Sequence, residues 1–350
     1  MVSARIVKTN DPLVIEDVNV PKPKNLQVLV RVKAAGICHS DLHLWEGGYM
    51  GAGGKFMKVE DRGVRFPLTP GHEVSGIIED IGESVLHFQK GDKVLVYPWI
   101  GDQVCRSCKA GDEHLCEAPQ TLGIYQDGGY SDLILVPNYK YLIKLQEIDF
   151  NSSASLACSG LTAYTAIKKS AAMPGENLVI IGAGGLGLMA VQIAKAITNA
   201  TIIIMDVDDE KLKEAKKFGA DLTVNSMSSD PIKAVKDITN GKGCEVIVDF
   251  VNNNKTAPTA IEVLRKRGRY IMVGLFGGSL ELNLPLVPLR AFTITGAYTG
   301  GFNDLVELVS LFKAGKINSV VSKQYKLEEA NKALEDLKNR KILGRAVFNP

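Results

Sequence analysis

Leu178-Val-Ile-Ile-Gly-Ala-Gly-Gly-Leu-Gly187 is the stretch on which the fold turns. Four apolar residues run without a break into Gly182. Beyond the glycines, Leu186, Met189, Ala190, Ile193, Ala194 and Ile197 recur at helical spacing. The segment therefore predicts a buried strand, a tight turn and an amphipathic helix. Gly182, Gly184 and Gly187 make a G-x-G-x-x-G in that context, with Gly185 and Leu186 inside it. Glycines there let backbone N–H groups approach a pyrophosphate, and the helix N-terminus adds positive partial charge. Asn177–Ala194 carries no charge, but its four glycines suit a strand, turn and helix, not a membrane span.

The same texture continues downstream. Thr201-Ile-Ile-Ile-Met reads as a second strand, Asp208–Phe218 as a charged helix stopped by Gly219, and Asp230-Pro231 as a helix start. Val246-Ile-Val, Tyr270-Ile-Met-Val and Phe292-Thr-Ile-Thr are further short apolar runs. Strands apolar throughout, alternating with helices, predict an α/β unit with a doubly wound parallel sheet, the Rossmann architecture. Asp206 stands 19 residues after Gly187, where a carboxylate meets a ribose 2′-hydroxyl. Asp208 and Asp209 follow, and a 2′-phosphate would meet negative charge. The expected cofactor is NAD, with Lys211 close by as a further contact.

Upstream the pattern changes. Val28-Leu-Val-Arg-Val-Lys alternates, Gly76-Ile-Ile-Glu is short and apolar, and Lys93-Val-Leu-Val follows Gly91-Asp92. Close Gly and Pro punctuation predicts a β-rich barrel or sandwich. Glu46–Pro67, Gly-rich with mixed charge, reads as a long loop. Asp304–Ala314 and Leu327–Leu337 have helical patterns, and Gly344-Arg-Ala-Val-Phe resembles a strand. The 350 residues suit two domains. With 45% hydrophobic and 23% charged residues, the composition excludes a disordered chain, a collagen and a coiled coil. A net charge of +2 argues against a large nucleic-acid footprint. Met1–Lys8 has no apolar core of a signal peptide, so a cytoplasmic location is expected.

Three of six cysteines fall within twelve residues: Cys105, Cys108 and Cys116. Clustering of that kind in a chain of this class points to metal. Structural zinc sites close with four ligands, and stepping back three residues from Cys105 gives Asp102. Asp112 and His114, inside the loop, compete for that place. Cys244, beside Val246-Ile-Val, reads as a small buried hydrophobe. A second set is dispersed: Cys38-His-Ser-Asp-Leu-His43, Gly71-His72-Glu73 and Cys158. Two thiolates and one imidazole would leave a zinc with an open fourth position. Taken alone, His72 reads more readily as a satisfied core or loop histidine, and Ser40 can also serve as a helix N-cap.

Together these segments, with Gly91-Asp-Lys-Val94, Cys158-Ser-Gly-Leu-Thr162 and Val273-Gly274, resemble the zinc-containing medium-chain alcohol dehydrogenases. The likeness spans essentially the whole chain and is nearest to the tetrameric archaeal and bacterial branch. Some members of that branch carry a carboxylate in place of the first cysteine of the lobe, which supports Asp102.

The resemblance implies a GroES-like β-barrel catalytic domain of residues 1–156, completed by 292–350, around a Rossmann NAD-binding domain of 157–291. It implies that Cys38, His72 and Cys158 hold a catalytic zinc, with Glu73 as an occasional ligand and Asp41 orienting His72. Ser40 and His43 would relay the substrate hydroxyl proton, His43 at the surface with a pKa near 6.5. His39 would face the pyrophosphate, Thr162 would pack on the nicotinamide, and the backbone at Val273 and Leu275 would bind its carboxamide. Two zincs per chain, NAD, an alkyl or aromatic alcohol and a homotetramer (or a homodimer) follow from the same likeness, without membrane or nucleic-acid partners. Trp45, Trp99, Thr121 and Leu275 are pocket candidates by position. A polyol or sugar dehydrogenase, or an alkene reductase of the same superfamily, is the alternative. A zinc ribbon for nucleic acid is disfavoured because Arg106 and Lys109 are balanced by Asp112 and Glu113.

Overall fold

The computed structural model describes residues 1–350. Its centre is a six-stranded, wholly parallel sheet. In space the strands run Leu222–Asn225, Thr201–Asp206, Asn177–Ile181, Cys244–Asp249, Leu264–Met272 and Thr293–Gly296. In chain order that is 3-2-1-4-5-6, the doubly wound pattern, with its switch point between the first and fourth strands. The last strand pairs Arg269–Met272 with Thr293–Gly296, so this sheet runs past the expected limit of residue 291.

Alternation along the strands sends side chains to both faces. Val179, Ile181, Ile203, Met205 and Ile247 join a core of 15 buried residues on one side. Leu178, Ile180, Ile202, Ile204, Val246 and Val248 face the other side and merge into a core of 71. That larger core also holds Val30, Val74, Val94 and Phe348 from the second sheet, so the two units share one continuous interior. Burying both faces is why these strands read as unbroken apolar runs.

The second sheet has seven strands. Five lie in the first 150 residues: Val28–Ile37, Glu73–Ile81, Lys93–Val96, Leu133–Val136 and Leu142–Lys144. The other two, Val321–Lys326 and Arg345–Asn349, return from the far end of the chain. Ala346 pairs with Ile37, and Phe348 with Ala35, antiparallel. Glu46–Pro67 is not a plain loop. It folds a short hairpin, Gly48–Met50 against Phe56–Lys58, followed by a tight turn at Glu60–Arg62. Gly48 permits that pairing, since a Cβ there would fall 2.2 Å from the Met57 carbonyl oxygen. No helix is long and apolar enough to cross a membrane.

Candidate active site

Strand Val28–Ile37 delivers Cys38 to the N-cap of helix His39–Glu46. His72 immediately precedes the neighbouring strand Glu73–Ile81, where Glu73 pairs with Gly36. Cys158 occupies the break between the turn Ser155–Ala157 and helix Ser159–Ser170. One ligand atom from each of Cys38, His72, Glu73 and Cys158 lies within 4.8 Å of every other, and all four residues are buried. The two Sγ atoms stand 4.0 Å apart and form no disulfide. Tetrahedral zinc with Zn–S of about 2.3 Å puts two sulfurs about 3.8 Å apart, so the spacing fits. Both ring nitrogens of His72 are buried without a hydrogen-bond partner. Orphaned polar atoms in an interior are costly, and a cation among them removes that cost. The donor set, two thiols, an imidazole and a carboxylate, suits zinc.

Asp41 organises this cluster from beneath. Its carboxylate accepts from the Cys38 N–H at 2.8 Å, the Gly71 N–H at 3.1 Å and the Tyr130 hydroxyl at 2.9 Å. It also lies 3.4 Å from His72 Nδ1. Burial lowers the His72 pKa, but Asp41 and the Cys38 sulfur outweigh it and hold it above its ordinary value. Cys38 caps the helix, so Ser40 is not the N-cap; its Oγ stands 3.8 Å from Cys38 Sγ. Sequence reasoning missed Arg345. This fully buried guanidinium comes from the last strand and pairs with Glu73, which also accepts from the Ser159 N–H at 3.2 Å. Burial pushes the Glu73 carboxyl up to about 7 against the opposing pull of Arg345. An arginine inside an otherwise apolar strand was the available signal.

A cavity of about 70 Å³ opens beside Ser40 and His43, with Leu44, Ile124, Tyr125 and Leu275 in its wall. His43 is half-buried against Tyr49, at 5.5 Å between rings. Burial lowers its pKa below the ordinary value. Trp99 stands 5.4 Å from the His72 ring and 5.8 Å from Tyr298, closing one side of the site. Trp45 lies elsewhere: its indole donates to the Asp11 carbonyl and stacks under Lys338. Thr121 is buried behind the wall, its carbonyl accepting from Ile124 and Tyr125.

The glycine motif takes the predicted form. Gly182 adopts φ +97°, and a Cβ on Gly187 would fall 1.8 Å from the Gly182 oxygen, so both positions require glycine. Gly184 is the N-cap of helix Gly185–Ile197. Asp206 ends the second strand and accepts from the Ala183 N–H at 2.6 Å. Lys211 sits in the first turn of the helix capped by Asp208. Thr162 is buried one turn after Cys158, and its N–H donates to the Cys158 carbonyl at 2.7 Å. The Val273 and Gly274 N–H groups both donate to the Asp249 carbonyl, which leaves their own carbonyls at the sheet's carboxyl end. The His39 ring lies 5.7 Å from Phe276, on the segment that follows.

In the lobe, Asp102, Cys105, Cys108 and Cys116 also bring ligand atoms within 4.8 Å of one another. Asp112 and His114 stand outside that set. Cys105 and Cys116 are 3.8 Å apart at sulfur. Asp102 Oδ1 accepts from the Val104 and Cys105 N–H groups, bonds that hold its carboxyl well below the usual range.

Comparison with known proteins gives the family. Residues 24–147 match the alcohol dehydrogenase GroES-like domain, and residues 185–314 match the zinc-binding dehydrogenase family. An NAD-dependent alcohol dehydrogenase of Sulfurisphaera tokodaii is 46% identical over 100% of both chains. One from Saccharolobus solfataricus is 43% identical, again over 100% of both. The crystal structure of the alcohol dehydrogenase from Aeropyrum pernix superposes with a TM-score of 0.91 at 38% identity, covering 100% of both chains. Identity of this order from end to end leaves one assignment: the chain belongs to the zinc-containing medium-chain alcohol dehydrogenases.

Proposed function

We propose that this chain transfers hydride reversibly between a primary or secondary alcohol and NAD, giving an aldehyde or ketone. The observation that carries the proposal is the buried cluster of Cys38, His72, Glu73 and Cys158, linked to the cavity through Ser40 and to the glycine turn through Arg345, which pairs with Glu73 and lies against Gly185. Cys38, His72 and Cys158 would hold the catalytic zinc, with Glu73 the alternative ligand. A zinc there supplies Lewis acidity toward the substrate oxygen, and bound NAD supplies the hydride acceptor.

The chain's own groups do the rest. Asp41 fixes the imidazole orientation of His72. Ser40, between Cys38 and the cavity, accepts the hydroxyl proton, and His43 receives it in turn; its lowered pKa keeps it neutral to below pH 6.5. Trp99 and Leu275 exclude water from the reacting carbon. The N–H groups at Gly184, Gly185 and Leu186 face the pyrophosphate, with His39 opposite. Each carboxylate oxygen of Asp206 accepts from backbone, yet a carboxylate has about four acceptor sites and so retains capacity for ribose hydroxyls. Thr162, Val273 and Leu275 flank the nicotinamide, and Lys211 borders the adenosine end.

A second zinc in the lobe, held by Asp102, Cys105, Cys108 and Cys116, would be structural. The likeness to the tetrameric branch suggests a homotetramer in the cytoplasm. Leu284 and Leu289, 73% and 70% exposed beside the edge strand Thr293–Gly296, support an assembly larger than a monomer.

The test is oxidation of an alcohol panel with NAD and with NADP, alongside zinc per chain. Turnover with NAD and two zincs per chain is expected. Two zincs without turnover of any alcohol would overturn the substrate assignment.

A further inference from the structure

We infer that the substrate carries a carboxylate remote from its reacting hydroxyl, and that Arg62 recognises it. The inference rests on the alcohol dehydrogenase reading of the same site and names its substrate class.

Arg62 lines the cavity that opens beside Ser40 and His43, and no Asp or Glu lines it. It is the one lining side chain that is charged at every working pH. No carboxylate lies within 4.0 Å of its guanidinium, and the side chain makes no hydrogen bond. Arg65, three residues on, behaves differently: it gives its guanidinium to the Glu60 and Val64 carbonyls. Arg62 instead folds over the Tyr49 ring, 5.7 Å from ring centre to guanidinium carbon. Arg62 and Tyr49 both line the cavity, and the five N–H donors of the guanidinium are unused.

The mounting is firm. Arg62 ends the turn Glu60–Arg62, and Gly63 closes it with φ +94°. Val59 and Val64, on either side, are 5% and 2% exposed and form part of the cavity wall. Tyr49 lines the same cavity, and its hydroxyl is buried without a partner. A fixed fork of donors and an unpaired phenol fit a planar carboxylate, which accepts two parallel N–H bonds from arginine. A neutral alcohol would leave these donors idle. Apart from Ser40 and His43, the remaining wall is apolar and aromatic, so a short methylene chain would bridge the carbinol and the carboxylate. Oxidation then moves a hydride to NAD and releases the hydroxyl proton through Ser40; the carboxylate is unchanged. The substrate class is a hydroxy acid, or in reverse an oxo acid.

The test compares ω-hydroxyalkanoates of increasing length with linear alcohols of the same length, using the zinc-loaded enzyme and NAD. Wild type should favour the best hydroxy acid over its neutral match by about 10- to 100-fold in kcat/KM, the range of a charged hydrogen-bonded pair. Arg62→Gln should collapse that ratio toward unity, through KM rather than kcat, and Arg62→Lys should restore part of it. Added salt should erode the preference, because Arg62 is exposed. Equal or better turnover of neutral alcohols by wild type overturns the inference and leaves the dehydrogenase reading standing. A ratio unmoved by Arg62→Gln also overturns it, as does a variant altered only in its KM for NAD. Loss of turnover for all alcohols and hydroxy acids in wild type would instead remove the dehydrogenase reading, and this inference with it.

Discussion

The two ligand clusters of this molecule use nearly the same chemistry and are built in opposite ways. The lobe takes all four ligands from residues 102–116, a single excursion of chain, with Asp102 and Cys105 part-exposed. The buried cluster takes Cys38, His72, Glu73 and Cys158 from three separate segments and seals them at 6% exposure or less. A local cluster tolerates motion of the rest of the fold. A dispersed one exists only when the fold does; here it reaches the cavity through Ser40 and the glycine turn through Arg345. Position, more than donor chemistry, distinguishes the cluster proposed as structural from the one proposed as catalytic.

The hardest test of that contrast is Cys38→Ser. Loss of several kcal/mol of charge stabilisation at the substrate oxygen should cost about 10³-fold or more in kcat/KM. NAD affinity, measured by fluorescence titration, should change little, since the glycine turn is untouched. Survival of activity would break the assignment of the buried cluster.

Asp41→Asn comes next. It keeps the shape but removes the charge facing His72, and should cost about 10- to 100-fold in activity and in zinc retention against a chelator. His43→Gln probes the cavity side. In wild type the acid limb of kcat should fall below pH 6.5, because burial favours the neutral imidazole. Cys38 and Glu46 act in the opposite direction but do not outweigh burial. The variant should lose that limb while retaining most of its rate at high pH, where hydroxide and water replace the base. A pH profile shared by wild type and variant would remove His43 from the relay.

Asp102→Ala should have the smallest effect on catalysis. One zinc per chain should be lost and the melting temperature should fall, with kcat/KM within about twofold of wild type, as for a change remote from the reacting atoms. Metal analysis and thermal unfolding on one sample would separate the two clusters directly.

The same contrast governs what could be read from sequence. Cys105-x-x-Cys108 and the glycine motif are local, so spacing and context announced both. Asp102 was legible because the lobe is short. The buried cluster was legible only as a set of zinc-suited residue types until the resemblance joined them, since Cys38 and Cys158 are 120 residues apart and nothing local links them. Arg345 went unseen for the same reason, being 272 residues from Glu73. Glu46–Pro67 looked like loop because its glycines masked a three-residue hairpin ladder. Trp45 suggested a pocket wall by position, but the direction of its helix face turns it toward Asp11 and Lys338.

The closing strand Arg345–Asn349 also has a consequence for biosynthesis. Glu73 is carried on a strand made early, while its charge partner is translated 272 residues later. Through most of synthesis the early strands wait with an unpaired edge at Ala35–Ile37 and a carboxylate that has no counter-charge. Long-range closure of this kind is slow and leaves such edges open to wrong partners. Seating of Arg345–Asn349 is therefore the single step that closes the edge at Ala35–Ile37 and gives the Glu73 carboxylate its counter-charge.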